Sequence, residues 1–181
     1  GEPSAGDAPE REEKTVRTQI DLHLDAYLPG DYIHDSGQKI EIYKKVAAIR
    51  SLEEERELAE ELVDRFGDMP TPVQTLLAVA RLKVYGAEYG VQTVSARDHD
   101  LVIVFAPEQV ERIDGQKLLA FSQRFERKLR LIPGKQIVMH LDRKGLSDEE
   151  ALQSLENLFR EYKQVLKDAA ETPAGATSNA V

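Results

Sequence analysis

The spacing of the apolar residues changes at Gly90, and this change constrains the fold more than any other feature of the chain. Between residues 37 and 89, apolar side chains recur every three or four positions, which is the period of an α-helix. Beyond Gly90 come short apolar runs of strand length, the longest of which is Leu101–Ala106. The sequence therefore predicts an α+β fold, with a helical N-terminal half and a small, mainly antiparallel sheet covered by helices.

Three helices are predicted before Gly90, over about 37–50, 51–67 and 71–89. Ser51 with Glu54, and Thr71 with Gln74, have the spacing of a capping box, in which two side chains satisfy backbone amides at a helix start. The second helix is expected to bury an apolar face that consists of Leu58, Ala59, Leu62, Val63 and Phe66.

Strands are predicted on both sides of this helical part. Alternation of polar and apolar residues indicates a strand at about 16–25 with one face in water. Further strands are predicted over Val91–Ser95, Leu101–Phe105, Leu129–Ile132 and Gln136–Leu141, the first two joined by a hairpin turn. Two more helices are predicted over about 114–128 and 148–169, and Ser147 with Glu150 forms a capping box for the last.

Composition sets the outer limits of the folded part. Residues 1–14 and 171–181 show no periodicity, so we expect a disordered linker or cloning remnant and a disordered tail around one domain at 15–170. The absence of Cys excludes disulfides, thiolate nucleophiles and Cys-ligated zinc, and it fits a reducing cytoplasm. No apolar run approaches 18 residues, so no membrane partner is expected.

Motifs for catalysis are missing from the sequence. It has no Gly-rich phosphate loop and no serine nucleophile elbow, so no enzyme activity and no cofactor are expected for this chain. Asp98-His99-Asp100 could hold a metal, but a solvated hairpin turn explains it better. His23 and Asp25 could form an acid–base pair, but the polar face of a strand explains them better.

One alternative function comes from a basic stretch near the C-terminal half, which contains Arg124, Arg127, Lys128, Arg130, Lys135, Arg143 and Lys144. Such a surface could make this a nucleic-acid-binding accessory domain. The formal net charge of -9 instead favours a basic protein partner. A small hydrolase with an unrecognised site is a third alternative.

The second predicted helix has an unusual acidic face. At 100° per residue, four carboxylates fall within about 60° of one another, opposite the apolar face; they are Glu53, Glu57, Glu60 and Asp64. Glu61 and Arg65 lie on one flank of this face. An ordinary solvated face remains open as an interpretation, but like charges four residues apart destabilise a helix. The functional interpretation is an acidic docking surface for a basic partner.

The run that closes this helix resembles a known family. Leu62–Pro72, followed by Leu76 and Leu77, is similar to the D-R-F-G-x-x-P-x-P-x-x-x-L-L signature of the C-terminal domain of bacterial transcription-repair coupling factor. The segments Asp25–Ile33 and Tyr43–Lys45 are similar to the parts of that family that precede the signature. The resemblance is clear over about 16–106 and looser beyond.

This resemblance implies that the chain is one domain of a large bacterial DNA translocase. Such a parent uses ATP and Mg²⁺ in separate motor domains, acts on duplex DNA, displaces stalled RNA polymerase and recruits the excision-repair damage-recognition ATPase. The C-terminal domain of the family is non-catalytic. It packs against the N-terminal domain of the same protein, covers the recruitment surface and restrains the motor.

The resemblance also assigns candidate partner-binding residues. In the family, the contact with the N-terminal domain uses the helix that leads into the D-R-F-G run, and the matching positions here are Glu61, Asp64 and Arg65. Helix geometry adds Glu57 and Glu60, which lie on the same face. We therefore expect these five residues to form one docking surface.

Overall fold

A computed structural model describes residues 17–168 of the 181-residue chain. The segments expected to be disordered, 1–14 and 171–181, lie outside the described residues. The helices are α1 (Ser36–Ala47), α2 (Leu52–Phe66), α3 (Thr71–Tyr89), α4 (Gly115–Arg124) and α5 (Asp148–Glu161). The strands are β1 (Gln19–Asp21), β2 (Val91–Arg97), β3 (Asp100–Phe105), β4 (Leu129–Ile132) and β5 (Val138–Asp142). Short 3₁₀ turns occupy Pro107–Arg112 and Tyr162–Val165.

The five strands form one mixed sheet in the order β1-β2-β3-β5-β4. The pair β1–β2 is parallel and the other three pairs are antiparallel, so the predicted α+β fold with a mainly antiparallel sheet is confirmed. None of the helices within residues 17–168 is long and apolar enough to cross a membrane.

The first strand is shorter than its alternating pattern predicted. Only Gln19–Asp21 pair with β2, and His23 and Asp25 are exposed beyond the end of β1. Leu22 and Leu24 still pack against the core without a neighbouring strand. Alternation therefore reports which side chains are buried, whereas a strand also needs a partner for its backbone.

Two apolar cores share α3. Leu82, Tyr85 and Tyr89 of α3 pack with the sheet, α4 and α5, whereas Val73 and Leu77 pack with α1 and α2. Because the same 19-residue helix belongs to both cores, it holds the helical half against the sheet half.

The helix starts show which capping predictions hold. Ser147 and Glu150 make the full capping box at α5. At α2 the Ser51 hydroxyl accepts from the Glu54 amide, but the Glu54 carboxylate accepts from the amide of Arg50 instead of Ser51. The predicted box at Thr71 is wrong: the extended Pro70 occupies the N-cap position of α3, so Thr71 is already helical.

Two other element ends differ from the prediction. Helix α4 stops at Arg124 because Glu126 and Arg127 adopt left-handed backbone angles, with φ of 49° and 70°, before β4 begins. Helix α5 gives way at Tyr162 to a 3₁₀ turn, after which Leu166 pairs with Ile113. The hairpin between β2 and β3 is confirmed, and its turn is Asp98–His99.

Candidate functional site

Helix α2 presents the predicted acidic face to solvent because its opposite face is anchored in the helical core. Leu58 and Leu62 are 6% and 0% exposed and pack with residues of α1 and α3. The prediction that Val63 is buried is wrong, since it is 44% exposed. Val63 lies 100° around the helix from Leu62, and the core covers only the stripe that contains Leu58 and Leu62.

Three of the five predicted docking residues carry exposed carboxylates with no ion pair in the described part of the chain. They are Glu57, Glu60 and Asp64, which follow one another at helical spacing along the outer face of α2. An unpaired carboxylate at the surface keeps its charge available to a cation from another molecule or domain. These three residues are therefore the accessible part of the acidic surface.

The other two predicted residues, Glu61 and Arg65, are already bound within the domain. The Lys45 ammonium lies 2.8 Å and 3.0 Å from the two Glu61 carboxylate oxygens. Arg65 donates to Glu61 at 3.1 Å and to Glu41 at 3.3 Å, and Lys45 lies 3.4 Å from Glu41. These four residues, from α1 and α2, form a closed ring of alternating charge, which we call the α1–α2 charge ring.

The charge ring changes the acidity of its members. The hydrogen bond from Lys45, with a further one from Arg65, lowers the pKa of Glu61, and the bond to Glu61 raises the pKa of Lys45. The Arg65 guanidinium also lies 4.9 Å from the centre of the Phe66 ring. Glu61 is therefore held as a carboxylate whose charge is balanced by its neighbours.

An open apolar groove lies beside the unpaired carboxylates. Its volume is about 400 Å³, and its lining residues are Arg56, Ala59, Glu60, Val63, Asp64 and Met69. Val63 and Met69 were not among the predicted site residues. The 100° angle between Val63 and Leu62 on the helix could have indicated that Val63 is exposed. Met69 lies in the turn after α2, where helical spacing does not predict which way a side chain faces.

A buried ion network connects α2 to two other helices. Arg81 of α3 donates to Glu55 at 2.9 Å and to Glu156 of α5 at 3.0 Å. The Glu55 and Glu156 side chains are only 9% and 8% exposed. This network ties α2, α3 and α5 together, and its members are too far apart in the sequence for spacing alone to predict it.

The basic stretch that suggested nucleic-acid binding is partly occupied by contacts within the domain. Arg130 pairs with Asp100, Arg143 pairs with Asp148 at 3.0 Å, and Arg124 donates to Gln164. Two of its seven cations are therefore paired with carboxylates within residues 17–168, which reduces the charge available to a phosphate backbone, and Arg124 is held by a neutral amide.

The Asp98-His99-Asp100 trio does not converge on a common point. Asp100 instead contacts the His140 Nδ1 atom at 3.1 Å, and hydrogen bonding to His140, together with Arg130, lowers the pKa of Asp100. Residues 17–168 contain no group of three or more His, Asp or Glu side chains placed to hold a metal ion.

Comparison with known proteins identifies the family. The profile of the TRCF domain matches residues 22–116, a segment that begins directly after β1 and includes α1, α2, α3, β2 and β3. The chain belongs to the TRCF domain family. Its signature run, Leu62–Pro72, forms the end of α2 and the start of α3, next to the groove and the charge ring.

Relatives of this TRCF domain have consistent names. The transcription-repair-coupling factor of Bacillus subtilis is 37% identical over 152 residues, which cover 83% of this chain and 13% of that protein. The protein of the same name from Staphylococcus epidermidis is 35% identical over 113 residues, 62% of this chain and 10% of that protein. The chain thus spans only about an eighth of the length of such relatives.

A solved structure extends the similarity to the C-terminal half. It is described as the C-terminal domain of transcription-repair coupling factor, and it superposes with a TM-score of 0.73 at 31% identity. The match covers 82% of this chain and 91% of that chain. The TRCF domain described here is therefore similar in fold to that C-terminal domain across its helical half and its sheet.

Proposed function

We propose that this TRCF domain is a non-catalytic regulatory module of a transcription-repair coupling factor, and that α2 docks on the N-terminal domain of the same protein. The observation that carries this proposal is the groove beside α2, which is lined by exposed Val63 together with the unpaired carboxylates of Glu60 and Asp64. Docking at this face restrains the parent until the domain is released.

The chemistry of the face defines what it can bind. The groove is lined by three apolar side chains, two carboxylates and one cation, Arg56. The apolar area with its excess of carboxylates suits a surface that presents one apolar side chain flanked by Arg or Lys. Desolvation of Val63 and Met69 contributes affinity, whereas Glu57, Glu60 and Asp64 contribute orientation and association rate. A regulatory contact has to be reversible. The coupling free energy that such a contact needs is typically about 1–3 kcal/mol.

The family relationship supports the rest of the proposal. The parent is proposed to be an ATP-dependent DNA translocase of the bacterial cytoplasm that acts in transcription-coupled nucleotide excision repair. Its motor domains would bind ATP, Mg²⁺ and duplex DNA. Through that parent, the domain acts indirectly on RNA polymerase and on the damage-recognition ATPase.

The test reverses two charges of the docking surface together. The Glu60→Lys, Asp64→Lys variant is expected to bind the rest of the parent protein at least about tenfold more weakly, because like charges then face the partner's cations. Binding is measured by titration calorimetry at fixed salt, and circular dichroism checks that the fold is kept.

A matched control is available on the 3₁₀ turn after β3. Glu108 and Glu111 are also exposed carboxylates without an ion pair in residues 17–168, so Glu108→Lys with Glu111→Lys changes the net charge equally at another surface. We expect this control to retain binding. Equal loss of binding in both variants, or no loss in either, contradicts docking through α2. Steeply salt-dependent DNA binding by the chain alone favours the nucleic-acid alternative.

A further inference from the structure

The α1–α2 charge ring places a cation of this domain at the edge of the proposed docking surface. Lys45 contacts both oxygens of Glu61, and its side chain is 42% exposed. Glu61 is therefore close to the unpaired Asp64 along α2 but already has a counterion. Any partner cation that approaches Glu61 meets the positive charge of Lys45.

We propose that Lys45 competes with the docking partner for the Glu61 carboxylate and thereby keeps the docked state releasable. This inference rests on the proposed function, because it concerns the regulation of the same surface. While Lys45 holds Glu61, a partner binds only through the unpaired carboxylates. A partner that takes Glu61 has to displace Lys45, so part of the new interaction is offset by the one that is lost.

Lys45 is better suited to this role than Arg65, the other cation of the ring. Arg65 is held by Glu61, by Glu41 and by its position over the Phe66 ring. The polar contacts of Lys45 within the described residues are only with Glu61 and Glu41, and a flexible ammonium exchanges partners at low cost. Exposed ion pairs of this kind are weak enough to open reversibly.

The experiment removes the charge of Lys45 but keeps the length of its side chain. The Lys45→Met variant is expected to bind the rest of the parent protein about three- to tenfold more tightly at low salt, since the Glu61 carboxylate then loses Lys45 as a counterion and can attract the partner's cation. The gain is expected to vanish near 1 M salt, where the Debye length is about 3 Å. Lys44→Met is the control, because Lys44 is exposed on the same helix without an ion pair in residues 17–168.

A second substitution isolates the pair. In a Glu61→Gln background, Lys45→Met is expected to give no gain, because the carboxylate for which Lys45 competes is absent. A second measurement needs no binding partner: the pKa of the Glu61 carboxyl is followed by NMR. This pKa is expected to rise in Lys45→Met, since the hydrogen bond from Lys45 lowers it.

The outcomes separate this inference from the proposed function. If the unaltered chain binds but Lys45→Met binds equally or more weakly, the competition is contradicted and docking through α2 stands. An equal gain in Lys44→Met also contradicts it, because the effect is then one of net charge. If the unaltered chain does not bind the rest of the parent, docking and competition are both overturned.

Discussion

Replacement of Arg81 by Met is expected to lower the free energy of unfolding by about 3–5 kcal/mol, the usual cost of removing one partner from a buried ion pair. Arg81 donates to Glu55 and to Glu156, whose side chains are less than a tenth exposed. Within residues 17–168, Glu55 then has no cation in contact, and Glu156 keeps only the outer Arg160, at 3.3 Å. Urea denaturation followed by circular dichroism measures the loss.

The matched control for Arg81 is Arg56, which lies on α2 and pairs with Glu53 at 3.9 Å with both side chains about 70% exposed. Arg56→Met is expected to change stability by less than about 1 kcal/mol, as is usual for surface pairs. Substituting Glu55 and Glu156 by Met in the Arg81→Met chain is expected to recover most of the loss. If Arg81→Met and Arg56→Met are equally stable, the buried network does not hold the helices together.

Truncation of Leu62 to Ala is expected to cost about 2–5 kcal/mol, which combines the lost transfer free energy with the cavity left behind. The Leu62 side chain of α2 is fully buried and packs against residues of α1 and α3. Because Leu62 anchors α2, the variant is also expected to expose the amide hydrogens of this helix to exchange before those of the sheet. Denaturation and hydrogen exchange measure these two effects.

The neighbouring residue provides the contrast. Val63→Ala is expected to lower stability by less than about 1 kcal/mol, because the side chain is 44% exposed. The same substitution is expected to weaken binding to the rest of the parent, since Val63 lines the groove. If Val63→Ala costs as much stability as Leu62→Ala, Val63 belongs to the core and not to the exposed side of α2. If Val63→Ala leaves binding unchanged, the groove is not the docking site.

Together these variants divide α2 into two functional sides. One side holds the helix in place through Leu62 and through the contact of Glu55 with Arg81. The other side carries Asp64 and the groove, and it can change without loss of the fold. A regulatory surface benefits from this division, because the strength of docking can then be adjusted by residues such as Lys45 while the stability of the domain is preserved.

Much of this organisation follows from the sequence alone. The periods of 3.6 and 2 residues depend only on backbone geometry, so the helices and most of the strands could be predicted from residue spacing. The acidic face of α2 was predictable for the same reason, and the run from Asp64 to Pro72 indicated the family that the comparison established.

The tertiary structure decided what each side chain of that face can do. The Leu62 and Val63 positions look alike in the sequence, but only Leu62 meets the core. Glu61 looks as available as Asp64, but α1 brings Lys45 to within 2.8 Å of it from sixteen residues away. The strand content of residues 16–25 was overestimated because pairing depends on where β2 lies. Spacing along the chain determines local conformation, whereas burial and charge pairing depend on contacts between elements that are distant in sequence.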